Sequence, residues 1–324
     1  MRAGGHHLIS HPDLTVGAIR AAHAAIPPVF RDSPQYVHEG LSARLEVPVV
    51  VKVETANPIR SFTGRGTWVA VSALAGEGRI GPERPIVCVS AGNFGQGVAY
   101  AARALGVPAI VFCSTRANPG KVARMRGLGA QVLEVGEDFD AARGESEAYV
   151  AANDAELLVD GAYPRISTGA ATLALELTDA AATGVLPTPV AIMVPVGNGA
   201  LLNGVGSWLR AATPDTRIIG VQSALADAMT RSWHARRPID TASAATYADG
   251  IASRVAIPRA VEFMAGRVDE MRTVSEDDLH AAQQVLTDEL GITVEGAAAA
   301  SWAGVLAGPR PDGPVAIIVT GSNV

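Results

Sequence analysis

The sequence has few cysteines. Its 324 residues include only two, Cys88 in "PIVCVS" and Cys113 in "AIVFCS". Both lie inside apolar, strand-like runs, where a small buried thiol is the ordinary expectation. Two buried thiols fit a protein of the reducing cytoplasm.

The sequence also lacks a basic surplus and a long apolar run. The net charge is −6 and the pI is about 5.7, and the one basic cluster, residues 231–237, is predicted to be a solvated loop or helix end. Nucleic-acid binding is therefore not expected. The N-terminus has no positive region followed by an apolar stretch, and no segment reaches membrane-spanning length, so neither export nor membrane insertion is expected.

Short β-branched runs alternate with longer helix-like segments rich in alanine and leucine. A hydrophobic content of 48% with 18% charged residues can support a large core, and the length suggests two domains. The alternation is typical of a parallel α/β architecture. The predicted strands are "VPVVVKV", "IVCVS", "AIVFC", "QVLEV", "VAIMVPV", "RIIGVQ" and "VAIIVT".

Three of the loops that follow these strands are unusual, and function in parallel sheets lies at the carboxyl ends of strands. In "SAGNFGQGVAYAA", residues 90–102, glycine permits a tight turn just before a helix, which aims backbone N–H groups at one spot. "GNGALLNGVG", residues 197–206, is a second possible anion cradle, and the chain ends on "TGSN" and a final valine. Dinucleotide binding is disfavoured, because Leu202 replaces the third glycine of G-x-G-x-x-G and the next strand ends in Gln222 rather than an acid.

Taken in order, several segments resemble the fold-type II pyridoxal-phosphate enzymes, the group of threonine dehydratase, serine racemase and cysteine synthase. The "SAGNFGQGVAYAA" loop looks most like that of the dehydratases. The resemblance covers nearly the whole chain and is carried by "VVVKVETANPIRSF", "SAGNFGQGVAYAA", "STGAATLALEL", "VPVGNGALLNG", "ADGIAS", "VEGAAAA" and "VTGSN".

The resemblance implies an α/β fold of two parallel-sheet domains with the active site in the cleft between them. Residues 1–65 and 165–324 are expected to form a large cofactor-binding domain, and residues 66–164 a small mobile domain. It also implies pyridoxal 5′-phosphate as cofactor, an amino acid as substrate, no metal at the site, and a cytoplasmic homodimer.

The first segment departs from the family pattern at one residue. The family motif reads Ser-Phe-Lys-x-Arg-Gly, with the lysine bonded to the cofactor as a Schiff base, whereas residues 61–66 read "SFTGRG". Thr63 therefore stands at the lysine position, where a hydroxyl can neither form an imine nor act as an amine base. The only lysines are Lys52, expected to make a polar contact at a strand end, and Lys121, expected at a surface helix start. This chain is expected to be catalytically disabled.

The remaining site residues follow from the resemblance, motif by motif. Residues 197–200 are expected to hold the cofactor phosphate, the turn at residues 90–93 the substrate carboxylate, and Arg60 a second carboxylate. The expected cofactor-binding residues are Phe62, Asn93, Gly197, Asn198, Gly199, Ala200, Gly250, Glu295 and Thr320, and the expected substrate-binding residues are Ser90, Ala91, Gly92, Asn93 and Arg60.

Thr320 lies where the family places a serine or threonine beside the ring nitrogen. A neutral hydroxyl does not enforce a protonated ring, which leaves a weaker electron sink suited to loss of a β-leaving group. The lysine form is thus predicted to convert a serine- or threonine-like β-hydroxy amino acid to a 2-oxo acid and ammonia. The alternatives are a β-replacement enzyme similar to cysteine synthase, and a pseudoenzyme that binds cofactor or amino acid without turnover.

Overall fold

The computed structural model describes residues 10–324, which form ten strands and twelve α-helices around two separate sheets. The strands are β1 (Gln35–Val37), β2 (Val49–Val53), β3 (Ile86–Val89), β4 (Ala109–Cys113), β5 (Gln131–Glu134), β6 (Glu156–Leu157), β7 (Ala191–Pro195), β8 (Arg217–Ser223), β9 (Glu270–Val274) and β10 (Val315–Val319). The helices are α1 (Val16–Ala25), α2 (Glu39–Leu45), α3 (Thr63–Gly76), α4 (Asn93–Ala104), α5 (Pro119–Gly127), α6 (Phe139–Ala152), α7 (Pro164–Ala182), α8 (Ala200–Ala212), α9 (Ala228–Ala235), α10 (Pro258–Met264), α11 (Glu276–Leu290) and α12 (Gly296–Leu306).

The larger sheet has six strands in the order β1-β2-β10-β7-β8-β9, all parallel except β1. Helices cover both of its faces, so its central strands are apolar on both sides. In β10, for example, Ala316 and Ile318 pack into one core with α7 and α8, while Val315, Ile317 and Val319 pack into the other with α11 and α12.

The smaller sheet has four parallel strands in the order β5-β4-β3-β6. It is built from residues 86–157, a continuous stretch of chain between β2 and β7. Its strands are also buried on both faces: Ile86 and Cys88 face one core, and Val87 faces the other. Cys88 and Cys113 are free and buried, as the sequence predicts.

All seven strands predicted from the sequence are confirmed, and three further strands are present. β1 and β6 have only three and two residues, and β9 reads "EMRTV" at the edge of the large sheet. Strands this short or this polar carry little of the apolar signal on which the prediction depends.

The helix boundaries follow local capping chemistry. Ser275 and Asp278 form the predicted capping box at the start of α11, and Gly291 ends that helix in the left-handed conformation. Helices α3, α7 and α8 approach one another closely at two glycines. A Cβ on Gly204 of α8 would lie 2.3 Å from the Ser167 carbonyl oxygen of α7. A Cβ on Gly169 of α7 would lie 2.4 Å from the Arg65 carbonyl oxygen of α3. No helix within residues 10–324 is both long and apolar enough to cross a membrane.

Candidate active site

The loops that follow β2, β3, β6, β7 and β10 line one cavity of about 510 Å³. The carboxyl ends of the strands of both sheets therefore converge on it, as expected for ligand sites in parallel sheets. Its lining includes thirteen residues that the sequence assigns to the site: Phe62, Thr63, Ser90, Ala91, Gly92, Asn93, Gly197, Asn198, Gly199, Ala200, Gly250, Glu295 and Thr320.

Thr63 is the first residue of α3 and is half-buried in the cavity wall. Its hydroxyl donates a hydrogen bond to the Asn93 carbonyl oxygen at 2.9 Å and lies 3.3 Å from the Ser61 hydroxyl oxygen. The preceding Phe62 N–H donates to the Thr320 carbonyl oxygen at 3.0 Å. The start of α3 is thus joined both to the loop after β3 and to the C-terminal strand.

The loop from β2 to α3 is held in place by side chains beneath it. Asn57 bonds the loop on both sides, its amide nitrogen donating to the Glu54 and Ser61 carbonyls at 2.9 and 3.1 Å. Arg65 is fully buried and bridges Glu54 and Glu176, with nitrogen–oxygen distances of 2.6–3.0 Å. These contacts fix the position of residue 63 independently of which side chain it carries.

The turn after β3 presents free backbone donors to the cavity. The Ser90 hydroxyl accepts from the Gly92 and Gly95 N–H groups at 3.1 and 2.9 Å, which shapes the turn. Among residues 10–324, no protein group accepts from the N–H groups of Ala91, Asn93 or Phe94. These three donors at the N-terminus of α4 suit a carboxylate.

The loop after β7 presents a second set of donors. None of the backbone N–H groups from Gly197 to Leu201 has a protein acceptor within residues 10–324. Gly199 adopts φ +90°, which a residue with a Cβ rarely reaches, and a Cβ on Gly197 would lie 2.7 Å from the Gly250 carbonyl oxygen. Consecutive amides ahead of α8 form a cradle suited to a phosphate.

Between the two donor sets lies a hydrogen-bonded carboxyl group. The Asn93 side-chain nitrogen donates to both oxygens of Glu295 at 3.0 and 3.1 Å, and the Asn93 side-chain oxygen accepts from Asn323 at 2.8 Å. Burial raises the pKa of Glu295 to about 7 and Asp249 adds to the shift, although Lys121, the Asn323 backbone N–H and the Asn93 amide act against it. Thr320 is 5% exposed and lines the cavity, and its hydroxyl makes no hydrogen bond to a protein group within residues 10–324.

Lys121 is not the surface residue that the sequence indicated. Although it lies in the first turn of α5, it is only 5% exposed, lines the cavity and forms an ion pair with Asp249. A Cβ on Gly92 would lie 4.0 Å from its amine nitrogen. The Lys121 amine therefore lies beside the turn after β3, whose backbone N–H groups face the cavity. Lys52, by contrast, is buried within β2 and paired with Glu176, outside the cavity lining.

Arg60 does not lie in the cavity wall with the other predicted site residues. It is exposed, with φ +53°.

The structure also adds charged wall residues that sequence reasoning missed. They include Asp160, which follows β6, and the ion pair of Arg254 with Asp140. The only sequence signal for Asp160 was its place after a strand, and that strand has two residues.

Comparison with protein families gives one match over most of the chain. The model of a family described as pyridoxal-phosphate dependent enzyme matches residues 27–321. This range contains the cavity residues assigned above.

Individual relatives are similar over comparable lengths. The chain is 32% identical to an L-threonine ammonia-lyase of Thermotoga maritima over 283 residues, 85% of this chain and 67% of the relative. It is 30% identical to a catabolic L-threonine dehydratase of Staphylococcus aureus over 317 residues, 96% of this chain and 89% of the relative. Among solved structures, a threonine deaminase from T.th. superposes with a TM-score of 0.87 at 30% identity, covering 96% of this chain and 98% of that one.

Proposed function

Because the chain belongs to the family of pyridoxal-phosphate dependent enzymes, we propose that its cavity is an ammonia-lyase site in which Thr63 has replaced the cofactor-binding lysine. The family and these relatives use pyridoxal 5′-phosphate. The proposed substrate of the lysine form is a serine- or threonine-like β-hydroxy amino acid, in line with the relatives named threonine ammonia-lyase and dehydratase. The chain with Thr63 binds these ligands without appreciable turnover.

The donor loop after β7 and Thr320 fit the cofactor, whereas residue 63 offers it no amine. The N–H groups of Gly197 to Leu201, which lack protein acceptors, would hold the phosphate. The unpartnered Thr320 hydroxyl would meet the ring nitrogen, and Phe62 and Gly250 in the cavity wall would lie against the ring. When bound, pyridoxal phosphate supplies an aldehyde for the substrate amino group and a ring that withdraws electrons.

The other end of the cavity fits the carboxylate of an amino acid. The Ala91, Asn93 and Phe94 N–H groups supply directed donors, and the amine of Lys121 adds a positive charge beside them. A charge-assisted contact in a buried site is stronger than one in water. Lys121 thus supplies a cation to the substrate carboxylate at this turn, whereas Arg60, which was expected to bind a second carboxylate, lies outside the cavity wall.

The observation that carries the proposal is the hydroxyl at residue 63. Thr63 lies in the cavity wall and bonds the Asn93 carbonyl, but it offers no amine to anchor the cofactor or to take a proton from Cα. Lys52 is held by Glu176 outside the cavity lining, and Lys121 is held by Asp249 at the carboxylate end. Binding without turnover, the behaviour of a pseudoenzyme, follows for the chain as it stands.

Two further features are proposed on the resemblance and composition. The free, buried thiols of Cys88 and Cys113 suit a reducing cytoplasm. A homodimer is expected from the resemblance to fold-type II enzymes, and light scattering of the purified protein tests it.

Comparing Thr63→Lys with the unmodified chain tests the proposal. Release of 2-oxo acid and ammonia would be followed over L- and D-serine, L- and D-threonine and 3-hydroxyaspartate with added pyridoxal phosphate. The lysine form is expected to be faster by about 10²–10⁴-fold, because it regains a positioned amine base.

Thr63→Met is the matched control, since methionine has a similar length but no amine. It should remain as slow as the unmodified chain. Equal turnover by the lysine and threonine forms would show that another residue carries the chemistry.

A further inference from the structure

Asp160 places a carboxyl group beside the loop that would hold the cofactor phosphate. It lies between β6 and α7, is half-buried and lines the cavity. An acid is an unexpected neighbour for a phosphate, because two like charges in a site of low dielectric repel strongly.

One long hydrogen bond and a close backbone approach place Asp160 beside the cradle loop. The Asn198 side-chain nitrogen donates to an Asp160 oxygen at 3.4 Å, a long and weak contact, while the Asn198 side-chain oxygen accepts from the Ser253 hydroxyl at 2.9 Å. The backbones are also close, since a Cβ on Gly161 would lie 2.8 Å from the Asn198 carbonyl oxygen. The Asp160 side chain therefore lies next to the cradle loop, residues 197–201.

No cation within residues 10–324 forms an ion pair with this carboxyl group. Arg254 is paired with Asp140, and Lys121 with Asp249. The titratable group that faces Asp160 from β3 is the thiol of Cys88, whose own pKa is raised by burial and by Asp160. Burial raises the pKa of Asp160 to about 6, against the weaker opposing effects of Asn198 and the Gly161 N–H.

We propose that Asp160 binds the cofactor phosphate as a neutral acid, whose O–H group donates a hydrogen bond to a phosphate oxygen. Binding of the phosphate is therefore coupled to uptake of one proton by Asp160. This inference rests on the proposed function, which places the phosphate on the amides of Gly197 to Leu201. The protonated acid adds a donor to the cradle, whereas the ionised acid would repel the phosphate. Above its pKa, the Asp160 carboxylate takes this proton from the buffer, so one O–H bond forms at Asp160 and no other covalent bond forms or breaks.

The direction of the pH dependence follows from linkage. A bound phosphate dianion raises the pKa of Asp160 further. At pH values above about 6, the pKa of Asp160 in the free protein, the complex therefore holds a proton on Asp160 that the free protein has lost. Affinity for the phosphate should therefore fall by up to about tenfold per pH unit above this value. Below it, Asp160 is already protonated and its contribution is constant.

Pyridoxine 5′-phosphate and pyridoxine are suitable probes, because neither carries an aldehyde that could react with Lys121. Their dissociation constants would be measured by fluorescence from roughly pH 5.5 to 8.5 for the unmodified chain, Asp160→Asn and Asp140→Asn. Asp140→Asn is the matched control, since it removes a carboxylate of the cavity wall that is paired with Arg254.

The phosphate ester should bind Asp160→Asn increasingly better than the unmodified chain as the pH rises above 6, by about tenfold per unit at most. Pyridoxine should bind both alike at every pH, and Asp140→Asn should follow the unmodified chain. Titration calorimetry of the unmodified chain in buffers of different ionisation enthalpy gives an independent readout: the phosphate ester should take up about one proton more than pyridoxine near pH 7.

Two negative results are distinguishable. Binding of the phosphate ester with the same pH dependence in Asp160→Asn and the unmodified chain, and without extra proton uptake, would overturn this inference alone. Failure of both probes to bind any of the three proteins would refute the cofactor site itself, and the role of Asp160 with it.

Discussion

Arg65, two residues after Thr63, anchors the site through a buried network of charges. Its guanidinium is shared by Glu54 and Glu176, and Glu176 also accepts from Lys52. Burial alone would raise the pKa of Glu176, but Arg65 and Lys52 outweigh it and lower the pKa to about 2. Removing one partner of such a network leaves charges buried without compensation.

We therefore expect Arg65→Met to lower the free energy of unfolding by about 3–5 kcal/mol at neutral pH. The pKa of Glu176 is depressed in the folded chain, so its stabilisation is present above its ordinary pKa of 4.5 and is lost as the pH falls towards 2. The difference between variant and unmodified chain should shrink over that window. Urea unfolding at several pH values measures it.

Arg231→Met is the control for this substitution. Arg231 is exposed and pairs with Asp227, the residue before α9, in a contact that contributes about 0.5 kcal/mol or less. If Arg65→Met lowers the free energy of unfolding no more than this control does, the buried network does not stabilise the fold.

Two cations show what sequence can and cannot predict at the level of single residues. Arg60 is adjacent to the motif in sequence, but it is exposed and lies outside the cavity wall. Lys121 lies 128 positions from Asp249, and only the folded chain brings the two together. Thr63, by contrast, was identified because its motif is continuous in sequence.

At the scale of elements, the site depends on how closely three helices approach. α3 begins at Thr63 and α8 begins at the proposed phosphate cradle, and both pack against α7 through glycine. A Cβ on Gly204 would lie 2.3 Å from the Ser167 carbonyl oxygen, a backbone atom that cannot rotate away. Any side chain at residue 204 must therefore push α8 away from α7.

Gly204→Ala is expected to lower the free energy of unfolding by about 1–3 kcal/mol, as overpacking does. It should also weaken binding of pyridoxine 5′-phosphate, because the shift moves the amides at the start of α8. Thermal unfolding and fluorescence titration measure the two effects.

Gly144→Ala is the matched control for Gly204→Ala. Gly144 is exposed in α6 with nothing within 4 Å of its Cβ position, so alanine should be neutral or stabilise by about 0.5–1 kcal/mol. Unchanged stability and binding in Gly204→Ala would show that α8 does not depend on this contact.

The elements themselves were largely predictable, because buried parallel strands read as continuous apolar runs. β7, "AIMVP", and β10, "VAIIV", are examples. β6 pairs with β3, which is distant in sequence, and β1 pairs with β2 across α2; with two and three residues, neither strand leaves a local pattern to detect.

At the scale of the whole molecule, polar contacts join the part of the chain that carries the small sheet to the part that carries the large sheet. Lys121 pairs with Asp249, Arg254 with Asp140, and Arg124 bonds Asn323. We propose that residues 66–164 form a small domain that moves against the rest of the chain when ligand binds. Polar contacts between domains exchange with water at little cost, which permits such motion.

Structures of the protein alone and with pyridoxine 5′-phosphate and serine test this motion. The Asn93 turn is expected to approach the Gly197 loop in the complex, as in other hinge closures. An unchanged separation between these loops in the two structures would argue for a rigid cleft.

The central claim concerns one residue, and covalent trapping tests it most directly. The unmodified chain and Thr63→Lys would be incubated with pyridoxal phosphate, reduced with borohydride, denatured and mapped by peptide mass spectrometry. We predict cofactor fixed to residue 63 in the lysine form and none fixed to the unmodified chain. Cofactor fixed at Lys121 or Lys52 of the unmodified chain would contradict the account, because another amine would then serve the site.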